Sequence, residues 1–365
     1  MSTQTPIDFK PLPYDVKYEQ PSPEEAQILK ETIEVLTDIM RKTYASEGHA
    51  MRSVHTKSHA ILKGELQVYE NLPTYLAQGL FAIAGTYPVV ARMSSQPGDV
   101  LPDSVSTPRG FAIKIGEVEG ERLQGAEGTN TQDFILVNSD PIFPQTPQQF
   151  LDGMKRFDAL TNKVEWFKEG VSKTLRAAGK VSEALGGPDA VMAGMGGQPE
   201  KHPMGDVYYS QGAILFGDYM AKMSFKPISA NLTALKDSPI DVDKEDFAIR
   251  NLLKEFFGKE GGEWEVGIQL STNIEKMPIE DASVEWPEEE SPYLPVGKLI
   301  IPSQDSWNED KAGVADDKML FSVWQGLAAH RPLGAIQRIR KDAYKESAKF
   351  RRNIYGKTDD LNDVK

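Results

Sequence analysis

The chain has 365 residues, 39% of them hydrophobic and 26% charged, a composition typical of a globular protein with a large core. Its net charge of −13 disfavours binding to a nucleic-acid backbone, which needs a basic surface. It has no cysteine, which excludes disulfides, thiolate metal sites and cysteine nucleophiles. No segment is apolar enough for a signal peptide or a membrane span, so the cytoplasm is the expected compartment.

The first part of the chain predicts an extended arm followed by a long helix. Residues 1–21 are rich in proline and polar groups, and we expect an arm attached to a single folded domain of residues 22–365. The motif Ser22-Pro23-Glu24-Glu25 is typical of a helix start, and the helix should end near Gly48. Its predicted apolar face is Leu29, Ile33, Leu36 and Met40.

Three of the five histidines, His49, His55 and His59, follow this helix and invite a metal-site interpretation. The segment is rich in β-branched residues, so the spacing of four between His55 and His59 would not place them on one face. An acidic third ligand at a familiar spacing is also missing. The alternative is a hydrogen-bonded core role for His55 and a structural or solvated role for the other two.

Short strands joined by turns come next, which favours an antiparallel sheet or barrel. Arg92 and Ser94 are two residues apart in the second of them, so their side chains share a face. The four predicted strands are residues 61–69, 88–94, 108–115 and 132–138.

The rest of the chain alternates predicted helices and strands without an obvious linker, which indicates one compact α+β domain. Thr146 caps the first of these helices. Helices are predicted over residues 146–160, 164–185, 243–257, 321–329 and 337–351. Strands are predicted within 206–225 and 264–270, with a glycine-rich connector at 186–197 and an extended stretch at 284–300.

The last helix places Arg340, Tyr344 and Arg351 on one face, because they are four and seven residues apart. An arginine one turn from a phenol can donate to the phenol oxygen and favour its anionic form. A phenolate oxygen can bind ferric iron, although on spacing alone Tyr344 could be a half-buried packing residue.

Several segments, taken together, resemble the haem catalases. Arg52-Ser53-Val54-His55 is similar to the distal segment of that family, and Arg92-Met93-Ser94 to its next strand. Arg340, Tyr344 and Arg351 have the spacing of the family's proximal signature. The other matches, in family order, are 108–114, Asn138 before 141–143, 208–211, and 296–299 after Trp286-Pro287.

This resemblance implies a catalase-like antiparallel β-barrel with surrounding helices and a buried haem b. The absence of cysteine agrees with a haem that is not covalently attached. The matches run from about residue 50 to Arg351, so we expect a chain that lacks the C-terminal helical domain of full-length catalases.

The resemblance also implies roles for the matched residues. Tyr344 would be the axial ligand of the haem iron, and Arg340 would keep its phenol ionised. His55 would take a proton from one peroxide oxygen and return it to the leaving oxygen, with Asn138 binding the peroxide and Ser94 orienting the imidazole. The partners of the haem propionates would be Arg52, Arg92 and Arg351.

Two departures from the family pattern lie in the access channel. Thr107 stands where catalases carry an aspartate, and Gln96 stands where a channel-narrowing valine is expected. We therefore expect a haem peroxidase that acts on hydrogen peroxide or organic hydroperoxides with an organic reductant and that has weak catalase activity at most. The resemblance and the N-terminal arm also suggest a homodimer.

Two alternatives remain open at this stage. One is a fatty-acid hydroperoxide isomerase or dehydratase of the allene oxide synthase kind, in which a threonine precedes the distal histidine. Val54 stands at that position here and argues against it. The other is a non-enzymatic haem store or sensor, which would not need His55, Ser94 and Asn138.

Overall fold

The described part of the chain forms an antiparallel β-barrel with helices packed against its outside. The computed structural model describes residues 9–96, 98, 100–138, 144–161 and 198–365. Its strands are β1 Lys57–Val68, β2 Gly85–Ser95, β3 Arg109–Ile115, β4 Gln132–Val137, β5 Tyr208–Tyr209, β6 Ile214–Phe216, β7 Tyr219–Pro227, β8 Gly262–Leu270 and β9 Leu294–Ile301. Its helices are α1 Glu25–Glu47, α2 Pro147–Leu160, α3 Ala230–Thr233, α4 Ala248–Lys259, α5 Glu309–Ala315 and α6 Ala335–Tyr355.

The barrel closes through β5. Hydrogen bonding follows the order β5-β4-β3-β2-β1-β9-β8-β7-β6, and β5 pairs with β7 as well as with β4. Eight strands therefore form the ring, and β6 extends it as a hairpin partner of β7. All of these pairings are antiparallel, as the turn-separated strands predicted.

The barrel interior is apolar, and the side chains that fill it follow the two-residue period of the strands. Trp264, Val266, Ile268 and Leu270, which alternate along β8, are fully buried. Met93, Phe111 and Leu136 belong to the same core cluster. The residues between these positions on β2, β3 and β4 face outward, and this outer face carries the site.

Three helices lie against that outer face. Leu36 and Ile39 of α1 pack with Met154 of α2 and Ala343 of α6 in one cluster. The predicted start of α2 is confirmed, because Thr146 and Gln149 form a capping box. Gly48 ends α1 with φ +68°, a conformation that favours glycine.

The predicted apolar face of α1 is displaced from the observed one. Leu29 and Ile33 are only half-buried, whereas the buried side consists of Ile28, Thr32, Leu36, Ile39, Met40 and Thr43. The two threonines are tolerated there because Thr32 donates to the carbonyl of Ile28 and Thr43 to that of Ile39.

The prediction of a helix over residues 321–329 is wrong, because only a short 3₁₀ turn, Ala328–His330, forms there. Two backbone donors of this segment bind side chains of β4 instead of closing helical turns. Ser322 N–H donates to Asp133 and Leu327 N–H donates to Gln132. The segment thus covers a fully buried ion pair, Lys114 to Asp133 at 2.7 Å.

The described part of the predicted arm is tied to the barrel and to α6. Leu12 N–H donates to the carbonyl of Ser271. Arg338 on α6 binds Glu19, Glu25 and Glu280. Among the described helices, none has both the length and the apolar character to cross a membrane. The predictions for residues 141–143, 164–185 and 186–197 lie outside the described residues.

Candidate active site

A cavity lies between the outer face of β2–β4 and helices α1, α2 and α6. The predicted residues that line it are Arg52, His55, Arg92, Ser94, Arg340, Tyr344 and Arg351. All of the predicted site residues except Asn138 therefore line this one cavity.

His55 lies in the irregular segment between α1 and β1. Its φ is +52°, in the left-handed region, which costs a non-glycine residue of order 1 kcal/mol or more. Because residues 51–56 are not a strand, Arg52 and His55 can both reach the cavity although they are three apart. Arg92 holds the turn by donating to the carbonyl of His55 at 2.9 Å and to that of Thr56 at 3.2 Å.

The imidazole of His55 is seated on the barrel wall. Its Nδ1 lies 3.4 Å from Oγ of Ser94, consistent with the predicted orienting role of that hydroxyl. Gly110 is the register partner of Ser94, and a Cβ there would lie 2.8 Å from Nδ1 of His55. The close approach of the ring to β3 thus requires glycine at position 110.

His55 is neutral at physiological pH. Burial, and then the charges of Arg92, Arg340 and Arg52, together lower its pKa to about 3. A neutral imidazole can accept a proton, which is what a general base in this cavity requires.

Tyr344 enters the cavity from the other wall, on α6. Nη2 of Arg340 donates to its phenol oxygen at 2.6 Å, as the spacing of four predicted. Nη1 of Arg340 donates to Oε1 of Gln337 at 2.9 Å. Gln337 was not singled out from the sequence, although its position one turn before Arg340 could have indicated it.

Arg52, Arg92 and Arg351 converge at one end of the cavity. Nη2 of Arg52 and Nη2 of Arg351 both approach the carbonyl of Met319, at 3.3 and 3.4 Å. Nε of Arg92 donates to Asp316 at 2.5 Å. The three positive charges of this cluster thus outnumber its two acidic neighbours, Asp316 and Asp317, which follow α5.

Burial is the main cause of a lowered pKa at two of these arginines. Burial, and next the charge of Arg92, lower the pKa of Arg351 to about 9. Burial also lowers the pKa of Arg52, with Arg351 and then Arg92 adding to the effect. Nε of Arg52 and Nε of Arg351 are buried and have no hydrogen-bond partner within the described structure. Crowded guanidiniums with unpaired donors fit an anionic ligand such as a pair of carboxylates.

Asn138 is directed elsewhere. Its Oδ1 accepts from the backbone N–H of Arg109 at 2.8 Å, and its Nδ2 donates to Asp206 at 2.8 Å. It does not line the cavity, although its neighbour Val137 does. A role for Asn138 in binding peroxide stays a prediction, and the described contacts do not support it.

Gln96 lines the cavity instead. Its Nε2 lies 3.3 Å from Nε2 of His55. Sequence reasoning treated Gln96 only as a change in the access channel. Its position two residues after Ser94 was a usable signal, since the strand period places both on one face.

The other histidines of the segment occupy separate places. His49 pairs with Asp317 at 2.8 Å and stacks on Tyr355, whereas His59 is buried against Ser95. Within residues 9–96, 98, 100–138, 144–161 and 198–365, no three acidic or histidine side chains cluster as metal ligands.

The residues present fit a haem. A phenol oxygen with an arginine donor lies on one wall and a neutral imidazole on the other, and at one end lie two arginines whose Nε atoms have no partner within the described residues. Tyrosine is a known axial ligand of haem in catalases. The apolar contacts between these groups would come from Leu36, Val54, Ala112, Ile135, Phe150, Met154 and Phe321.

Comparison with known proteins relates the chain to catalases. A scan against models of protein families gave no match. Catalase-2 of Caenorhabditis elegans is 27% identical over 267 residues, which cover 68% of this chain and 50% of that protein. The catalase of Schizosaccharomyces pombe is 25% identical over 294 residues, 74% of this chain and 53% of that protein. The chain spans about half the length of the curated relatives it matches.

Solved structures show the same fold. A fungal catalase solved at 1.9 Å matches with a TM-score of 0.58 and 16% identity over 97% of this chain and 68% of that one. Catalase A from Saccharomyces cerevisiae matches with a TM-score of 0.57 and 15% identity over 96% and 69%. The predicted catalase-like barrel with surrounding helices is thereby confirmed. The chain is thus similar to catalases in sequence and in fold.

Proposed function

We propose that this chain is a haem-dependent peroxidase that reduces hydrogen peroxide or organic hydroperoxides with an organic co-substrate. One observation carries the proposal: the Tyr344–Arg340 pair and the neutral imidazole of His55 line one cavity from different walls. The similarity to catalases supports a peroxide-related oxidoreductase.

Tyr344 would hold the iron of a haem b, and Arg52, Arg92 and Arg351 would bind its two propionates. When bound, that haem would supply the redox chemistry that cleaves the O–O bond. The unpaired Nε atoms of Arg52 and Arg351 support this placement of the carboxylates. Two buried carboxylates beside three buried arginines would also relieve the repulsion among the guanidiniums.

His55 would act as the proton carrier on the opposite side. Its neutral ring accepts a proton from one peroxide oxygen and returns it to the leaving oxygen, so charge does not accumulate on either oxygen. Ser94 holds Nδ1, which leaves Nε2 for the substrate. Gly110 has no side chain, which allows the ring to lie close to β3.

The preference for substrates larger than hydrogen peroxide rests on the access channel. Thr107 and Gln96 stand where the catalase pattern has an aspartate and a channel-narrowing valine, and Gln96 lines the cavity beside His55. A channel changed in this way would admit an organic hydroperoxide or an organic reductant. Cytoplasmic location and a homodimer stay predictions of the sequence and of the resemblance.

The absorption spectrum of the purified protein tests the cofactor. We expect a ferric haem spectrum of the phenolate-ligated type that changes on addition of peroxide. A colourless protein that takes up no added haem would contradict the proposal. A coloured protein whose His55→Ala variant keeps all hydroperoxide activity would favour a haem store or sensor.

Kinetics with matched substrates test the reaction. We expect faster turnover of an organic hydroperoxide with an organic reductant than of hydrogen peroxide alone. Oxygen release at the rate of a full-length catalase, without oxidation of a co-substrate, would contradict this preference. Rearranged products from fatty-acid hydroperoxides, formed without a reductant, would indicate the isomerase alternative.

A further inference from the structure

We propose that Gln96 is a positioning residue of this site, where its carboxamide orients His55 and provides the amide hydrogen bond to the peroxide. The inference rests on the proposed function and assigns to Gln96 the contact that the resemblance gives to Asn138.

The Asn138 amide has both ends occupied. It accepts the N–H of Arg109 through Oδ1 and donates to Asp206 through Nδ2, each at 2.8 Å. Turning this side chain toward the cavity would leave a backbone donor of β3 without that acceptor and would remove a hydrogen bond from the half-buried Asp206 carboxylate. Losing buried partners of this kind is costly, so the observed orientation is the stable one.

Gln96 is held so that its amide faces His55. Its backbone N–H donates to the carbonyl of Pro108 at 3.3 Å, and its carbonyl accepts from the hydroxyl of Thr107 at 2.6 Å. The two positions that depart from the catalase pattern therefore act on each other. Thr107 fixes the backbone from which the Gln96 amide reaches the cavity.

The contact with His55 decides which imidazole nitrogen carries the proton. We assign the amide nitrogen to the end of the carboxamide that faces the ring; this nitrogen only donates, so Nε2 of His55, 3.3 Å away, is the acceptor. The ring proton is then on Nδ1, directed at Oγ of Ser94 at 3.4 Å. In this tautomer the lone pair of Nε2 lies on the cavity side, where it accepts the Gln96 N–H until a peroxide O–H takes its place.

The same geometry serves a bound peroxide. An oxygen that donates its proton to Nε2 of His55 would also lie within reach of the Gln96 amide, because the two nitrogens are only 3.3 Å apart. The amide N–H would then stabilise negative charge that develops on that oxygen.

The variant Gln96→Met tests this assignment, because methionine has nearly the same shape and no N–H donor. Cyanide is the probe of the distal donor, since it binds haem iron as an anion that accepts hydrogen bonds. We expect cyanide affinity to fall roughly five- to tenfold, the size of one lost hydrogen bond. We expect kcat with peroxide to fall more than KM rises, with haem content unchanged. Gln148→Met, on the exposed side of α2, is the matched control and should match the wild type in all of these measurements.

Each outcome decides between the two proposals. A wild-type protein that binds haem and reacts with peroxide, while Gln96→Met keeps its cyanide affinity within twofold, overturns the role of Gln96 alone. A folded Asn138→Ala variant that weakens cyanide binding more than Gln96→Met also overturns it. A wild-type protein that binds no haem overturns the proposed function together with this inference.

Discussion

The guanidinium of Arg340 donates to the phenol oxygen of Tyr344 at 2.6 Å, one helical turn away on α6. Both side chains line the cavity, and Gln337 holds the guanidinium from the next turn. A fixed cation beside a phenol oxygen favours negative charge on that oxygen. This arrangement suits a ligand for a ferric ion, and it makes Tyr344 the first residue to test.

Replacement of Tyr344 by phenylalanine should remove the proposed iron ligand and leave the helix intact. We expect haem binding to weaken at least tenfold, or the remaining bound haem to lose the phenolate-type spectrum, as measured by haem titration and absorption. Tyr355→Phe on the same helix is the matched control, because its hydroxyl accepts from Ala50 N–H outside the cavity. An unchanged spectrum in Tyr344→Phe would exclude Tyr344 as the ligand.

Gly110→Ala should displace His55 without removing any functional group. The new Cβ would lie 2.8 Å from Nδ1 of His55 and 3.2 Å from Oγ of Ser94, so the ring must move. Small displacements of catalytic groups can cost up to about a hundredfold in rate, and we expect kcat/KM for peroxide to fall toward that extent.

The control for this change is Gly153→Ala on α2, where a Cβ would meet no atom within 4 Å. Alanine is the better helix former, so this variant should be slightly more stable and equally active. Equal kcat/KM for Gly110→Ala and the wild type would show that the position of the His55 ring against β3 does not matter for the reaction.

The buried pair of Lys114 and Asp133 should be sensitive to loss of either partner. Both side chains are fully buried, at 2.7 Å from each other, and Asp133 also accepts from Ser322 N–H. Asp133→Asn leaves an uncompensated lysine charge, so we expect a loss of about 3–5 kcal/mol in the free energy of unfolding.

Denaturant unfolding of the purified variants measures this loss. The exposed pair of Lys155 and Glu31, at 2.9 Å, gives the comparison, and Glu31→Gln should cost less than about 1 kcal/mol. Similar losses of unfolding free energy in Asp133→Asn and Glu31→Gln would show that the buried pair is no more sensitive to loss of its carboxylate than the exposed pair.

Local spacing predicted much of the fold and of the site. The four-residue interval from Arg340 to Tyr344 gave their hydrogen bond, and the two-residue interval from Arg92 to Ser94 gave their common face. These features depend only on helix and strand periods, which hold wherever the element forms.

Features set by distant parts of the chain were not predictable in this way. The segment 321–329 has helical composition, yet its donors bind Gln132 and Asp133, about 190 residues earlier. Asn138 is turned from the cavity by Asp206, 68 residues later. The left-handed φ of His55 likewise goes with long-range contacts, since Arg92 donates to the carbonyls of His55 and Thr56.

The stability of the protein should fall as the pH is lowered from about 6.5 toward 4, in part through His202. Burial, and then the charge of Arg109, lower the pKa of this histidine to about 4. Between that value and the unfolded value near 6.5, the unfolded chain binds a proton that the folded chain does not. The contribution of His202 to stability is therefore complete above pH 6.5 and is lost as the pH falls through 4.

His202→Asn tests this pH dependence without removing a hydrogen bond. Nδ1 of His202 accepts from Met204 N–H at 3.2 Å at the start of a 3₁₀ turn, and an asparagine oxygen can take the same position. The measurement is the free energy of unfolding as a function of pH. Between pH 4 and 6.5, its slope reports the number of protons taken up on unfolding, and this number should be smaller by up to one in the variant. Above pH 7 the two curves should run parallel, which serves as the internal control. Parallel curves down to pH 4 would show that His202 binds its proton equally well in the folded and unfolded chain.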